Sequence, residues 1–179
     1  MLAISNLIFF QSCIQKTGPN YYLISFRNRD YLKSDTTILL SFEKIAKGDT
    51  SKVTYTTKYG YWTYLIIGNN DSGFIVSNIR DKLLHPNDSV IFMRRLSDTV
   101  ITTNTDKFSV TKYILDESVQ DGSTFHYYCP QFGVFVVHGD QWPGIKLLQT
   151  SDTSINSKIN YLVLSVVPHR YNGMKLRSK

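Results

Sequence analysis

The 179-residue chain is 42% hydrophobic and 19% charged, with 12 Tyr and 10 Phe. That composition excludes intrinsic disorder, and the length suits one domain that buries its core without metal or disulfide staples. The net charge is +6, but the C-terminal RYNGMKLRSK supplies Arg170, Lys175, Arg177 and Lys179 with no acid, so the body lacks the basic face of a nucleic-acid partner.

The chain opens with MLAISNLIFFQSC. Residues 2–10 are too short for a transmembrane helix, which needs about 20 apolar residues. They suit the apolar region of a secretory signal, about 7 to 15 residues long and followed by a small side chain, here Ser12. An apolar run that ends at Cys13 resembles the lipobox of bacterial lipoproteins, in the relaxed form of the Bacteroidota, with Phe10 and Gln11 where Leu and a small residue are usual. The resemblance covers the first thirteen residues. It implies a signal peptide at 1–12, lipidation of Cys13, a membrane-anchored tether at 13–20 and a place in the cell envelope. No acid follows Cys13 before Asp30, which in that family implies a periplasm-facing protein. The competing reading is an ordinary first strand with an incidental cysteine. A Cys13–Cys129 disulfide would compete with lipidation for one sulfur; with Cys13 lipidated, Cys129 is expected to be a small buried hydrophobe.

Beyond the tether, residues 21–168 read as one β-rich domain, and 169–179 as a flexible basic tail. Runs rich in Tyr, Phe, Ile, Val and Thr recur between turn residues, the pattern of antiparallel β structure. YYLISF (21–26) and TTILLSF (36–42) come first. KVTYTTK (52–58) alternates, with Val53, Tyr55 and Thr57 on one face. YWTYLII (61–67) and GFIVS (73–77) flank the turn-forming GNNDS and predict a hairpin. SNIRDKLLHP (77–86) predicts a short helix capped by Ser77 or Asn78 and stopped by Pro86. Strands are predicted again at 89–95, 99–103, 107–115, 124–129, 133–138, 144–149 and 158–167. The expected fold is all-β and mainly antiparallel, a sandwich or partly open barrel with one or two short helices.

TFHYYCPQFGVFVVHGD gathers His126, Cys129, His138 and Asp140, which raises the question of a thiol enzyme or a metal site. A hairpin turning at Gln131 and Phe132 sets Cys129 opposite Val134 and Phe125 opposite His138. His126 then points away from Cys129, and His138 lies four residues along the strand, about 13 Å at roughly 3.3 Å per residue. A base must approach within about 3.2 Å of its nucleophile, so this hairpin makes no dyad; the distant His85 and His169 sit in no motif. With no HExxH or paired CxxC, no metal and no cofactor are expected, and catalysis is disfavoured.

Both faces of the hairpin are apolar, as in strands covered on both sides or lining a cavity. If it lines one, Phe125, Tyr127, Tyr128 and Phe135 are the candidate ligand contacts. The hairpin also weakly resembles those of periplasmic β-domains related to lipoprotein carriers, half-barrels that shield acyl chains. The expectations are therefore a membrane-tethered, non-enzymatic envelope domain with a structural or protein-binding role, or a carrier or sensor of a lipophilic ligand. Asn70 and Asn87 each begin an Asn-Asp-Ser sequon, which a secreted eukaryotic protein would use.

Overall fold

The computed structural model describes residues 21–26, 34–47, 50–57, 60–67, 72–79, 89–115, 122–140 and 144–167. Ten strands and one helix occupy them. In chain order these are β1 (Tyr21–Phe26), β2 (Ser34–Lys47), β3 (Thr50–Thr57), β4 (Gly60–Ile67), β5 (Ser72–Ile79), β6 (Ser89–Thr102), β7 (Lys107–Leu115), β8 (Thr124–Cys129), β9 (Gly133–Gly139), β10 (Ile145–Thr150) and α1 (Thr153–Val166). Each strand is antiparallel to its chain neighbours, and β1 pairs with β10 from Tyr21↔Thr150 to Phe26↔Ile145. The ring is a closed barrel. Closure goes further than the expected sandwich or partly open barrel and leaves no unpaired edge where strands lie side by side around the ring.

The two longest strands turn the corners. β2 gives Ser34–Leu40 to β1 and Ser41–Lys47 to β3. β6 gives Ser89–Arg94 to β5 and Arg94–Thr102 to β7, with a register shift between Arg95 and Ser97. A bulge adds one unpaired residue and sharpens the bend. That is why SVIFMRR and TVITT, predicted as two strands, are one.

Interior and exterior faces follow from contacts across the ring. Tyr55 of β3 donates its hydroxyl to the Val134 carbonyl of β9 at 2.7 Å. The Tyr64 hydroxyl of β4 lies 3.4 Å from His126 Nδ1 of β8. Neither pair is adjacent in the ring, so these side chains cross the interior. Alternation then places Ser51 and Val53 with Tyr55, Ile66 with Tyr64, and Tyr128 with His126; Tyr113 stands opposite His126 in the ladder.

The outer face of β8–β10 carries Tyr127, Cys129, Val136, Ile145 and Leu147, all buried. Helix α1 packs against β9 and β10 and buries Ile159, Leu162 and Val163. Full burial of such side chains stabilises by about 1.5–3 kcal/mol each, as an upper estimate. Opposite wall on one side and helix on the other explain why this stretch is apolar on both faces.

Three further expectations are corrected. KINYLVLSVV, predicted as a strand, lies mostly in α1: Ile155, Ile159, Leu162, Val163 and Val166 recur every three or four residues, and Asp152 caps the first turn by accepting from Ser154 N–H at 2.8 Å and Ile155 N–H at 3.2 Å. The predicted helix at 77–86 gives way at its start to β5, which runs to Ile79; residues 80–86 lie outside the described residues. In the β8–β9 hairpin, Cys129 faces Gly133 and Tyr128 faces Val134, with a shift between Tyr127 and Tyr128 that restores Phe125↔His138. The turn sets this register: Phe132 N–H donates to the Cys129 carbonyl at 3.1 Å, and Gly133 adopts φ 76°, which glycine takes without a Cβ clash.

Candidate functional site

The chemistry-bearing side chains of the described residues cluster on β7–β9 and the walls facing them. Each of the two histidines belongs to one face. His138, on the outer face, is buried. Its Nδ1 lies 3.1 Å from the Gly139 carbonyl, which only accepts, so Nδ1 carries the proton; Nε2, 3.2 Å from the Tyr127 hydroxyl, then accepts from it. Its ring stacks on Tyr127 with centroids 5.6 Å apart and tilts against Phe125 at 5.2 Å.

His126, on the inner face, is buried beside Tyr64, whose ring centroid is 5.8 Å away. Burial, with the charge of Lys146 and the neighbouring His138, pushes its pKa down to about 3. The imidazole is neutral at ordinary pH and too weak a base for proton abstraction there. Its Nε2 is buried without a hydrogen-bond partner. Tyr113 beside it is pushed up to about 12 by burial, offset by Arg95 and reinforced by Tyr128 and Asp98. Burial also raises Tyr128, against a hydrogen bond with Ser51. These phenols stay protonated and act as neutral hydrogen-bonding groups.

The Cys129 thiol is buried and donates to Gln131 Oε1 at 2.8 Å. Thiol and His138 imidazole are thus each bonded elsewhere. Asp140 accepts from Ser123 N–H at 3.1 Å, and its own N–H donates to the Ser123 carbonyl at 3.0 Å; it closes the hairpin base. Among the described residues, no three His, Cys, Asp or Glu side chains converge on a point where a metal would sit. No described helix is long and apolar enough to cross a membrane.

The four candidate ligand contacts separate. Tyr128 faces the interior. Phe125 and Tyr127 face outward under Lys112, whose Nζ sits 4.2 Å and 5.6 Å from their ring centroids, an attraction of charge to ring face. Burial lowers the Lys112 pKa. Phe135 is fully buried beside the register shift. Cys13, His85 and His169 lie outside the described residues. Sequence reasoning gave Tyr55, Tyr64 and Lys112 no role in a site. The alternation of KVTYTTK set Tyr55 on one face with Val53, but showed neither that this face turns inward nor its partner 79 residues away.

No protein-family model, curated protein or solved structure matches this chain.

Proposed function

We propose that this protein is a lipid-anchored, non-enzymatic β-barrel domain of the bacterial cell envelope with a structural or protein-binding role. The observation that carries the reading is ring closure from Tyr21 onward. Every described strand pairs with two neighbours over at least part of its length, so the ring closes without a strand from residues 2–10. LAISNLIFF is not needed for that closure, and its junction with Cys13 resembles a lipobox. The segment 14–20 spans the interval between the lipidated sulfur and β1.

The second reading, a carrier or sensor of a lipophilic ligand, draws on the buried and unpartnered Nε2 of His126. The direct contacts of Tyr55 with Val134 and of Tyr64 with His126 bring opposite walls together at that level, and this favours the first reading. Native mass spectrometry of protein purified without detergent separates the two, since a carrier co-purifies with a lipid.

Metabolic labelling with a palmitate analogue tests the anchor. The wild-type chain is expected to take the label and sediment with membranes, while Cys13→Ala loses the label and moves to the soluble fraction. Label retained by the Cys13→Ala protein defeats the proposal.

A further inference from the structure

Strand β6 runs past its neighbour. β5 pairs with Ser89–Arg94 only, and β8 pairs with β7 only over Thr111–Leu115. β6 and β7 nevertheless stay paired out to Thr102↔Lys107. Residues 97–110 therefore form a two-stranded hairpin that overhangs the barrel. Its β7 side is flanked: the Phe108 ring lies 5.8 Å from Phe132, and Asp106 pairs with Lys158 of α1 at 3.1 Å. Its β6 side has no described strand beside it beyond Arg94. Asp98, Thr99, Val100 and Thr102 are exposed, and Val100 keeps 57% of its surface in solvent.

The tip of the hairpin sets which backbone groups face that open side. Thr103 N–H donates to the Asp106 carbonyl at 2.8 Å, so residues 103 and 106 are a hydrogen-bonded pair. Bonded and non-bonded pairs alternate along an antiparallel ladder. Residues 101/108 and 99/110 are then bonded pairs, and 102/107, 100/109 and 98/111 are non-bonded ones. Residues in a non-bonded pair turn their backbone groups away from each other. The N–H and C=O of Asp98, Val100 and Thr102 thus point outward, along an edge with no described strand beside it.

We propose that this edge pairs antiparallel with the same edge of a second copy of the chain, about a two-fold axis at Val100. In that register Val100 stands opposite its counterpart, and Asp98 opposite Thr102 in both directions. Every outward N–H meets a carbonyl, and the contact closes on itself as an isologous dimer. A register centred on Thr99 pairs Asp98 with Val100 and leaves Thr102 out. The one charge on the edge does not oppose the contact: Asp98 is held by Arg95 and by the Thr111 hydroxyl at 2.8 Å, and it faces a threonine rather than another acid. Residues 97–102 hold no Lys and no Pro, devices by which natural sheets block such pairing. The register shift lies before this stretch. Val100, the exposed apolar side chain at its centre, becomes covered by its own copy.

Sedimentation velocity of the full chain in detergent, across a concentration series, tests this. The wild type is expected to pass from monomer to dimer. Val100→Lys sets like charges opposite each other and is expected to weaken the dimer at least about tenfold. Val100→Pro removes an outward N–H that the barrel does not use and should abolish the dimer while the fold survives. In the bonded register the two Val100 Cα atoms lie about 5.5 Å apart, within disulfide range, so Val100→Cys should crosslink to its copy, whereas Thr102→Cys should not. A chain that stays monomeric throughout, including one that captures an unrelated extended peptide at this edge, overturns the proposal, as does a dimer unaffected by both Val100→Lys and Val100→Pro.

Discussion

His126 shows how one side chain sets a pH response. Its ordinary pKa of 6.5 falls to about 3 in the folded chain because burial removes water from the imidazolium, with Lys146 and His138 adding repulsion. Between those values the unfolded chain binds a proton that the folded chain does not. Stability is therefore highest above pH 6.5 and falls as pH drops toward 3, by up to about 1.4 kcal/mol per pH unit. Asp98 and Asp106 lie below the ordinary 3.8: at Asp98 the Arg95 and Thr111 hydrogen bonds outweigh burial, and at Asp106 bonds from Thr105 and Lys158 dominate. What they contribute is present above 3.8 and is lost only as pH falls below that value. Urea titrations from pH 7.5 to 4 should show the decline in the wild type and a shallower one in His126→Phe; equal slopes would assign the decline elsewhere. None of this was legible locally. HYYC on an aromatic strand announces alternation, but the removal of water from His126 depends on Tyr64, 62 residues away.

Among the elements, α1 was missed and its cap explains why it forms. NYLVLSVV is rich in β-branched residues, which favour strands, and that composition suggested a strand. The three-to-four spacing of Ile155, Ile159, Leu162 and Val163 fits a helix, and Asp152 supplies an acceptor for N–H groups at its start. Asn156 then ties the helix to β10, accepting from Thr150 N–H and donating to the Thr150 carbonyl, both at 2.7 Å. Asp152→Ala should cost about 0.5–2 kcal/mol, read as a lower urea midpoint at unchanged slope. The strands were more legible, since alternation in KVTYTTK and the turn chemistry of CPQFG act over a few residues. Their ends were not. β2 and β6 are each 14 residues long because they change partners midway, and only the partners show where a strand stops.

For the whole molecule, the helix and the barrel stabilise each other. Leu162 is fully buried on the outer wall, and Leu162→Ala is expected to cost about 2–5 kcal/mol. The loss should appear as one cooperative transition at lower denaturant, because removing helix contacts uncovers β9 and β10, which close the ring through β1. A separate early transition of the helix would show that the two fold independently. The amino-acid sequence by itself determined the class of the fold, its antiparallel order and the two-faced apolar hairpin, because these follow from side-chain period and turn residues acting locally. Only the tertiary structure decided that the sheet closes, which face of each strand turns inward, that the last apolar run is a helix, and that β6 runs past its described neighbour β5. Those outcomes depend on pairing between residues far apart in the chain, such as Tyr21 with Thr150 and Tyr55 with Val134, and no local pattern encodes a partner.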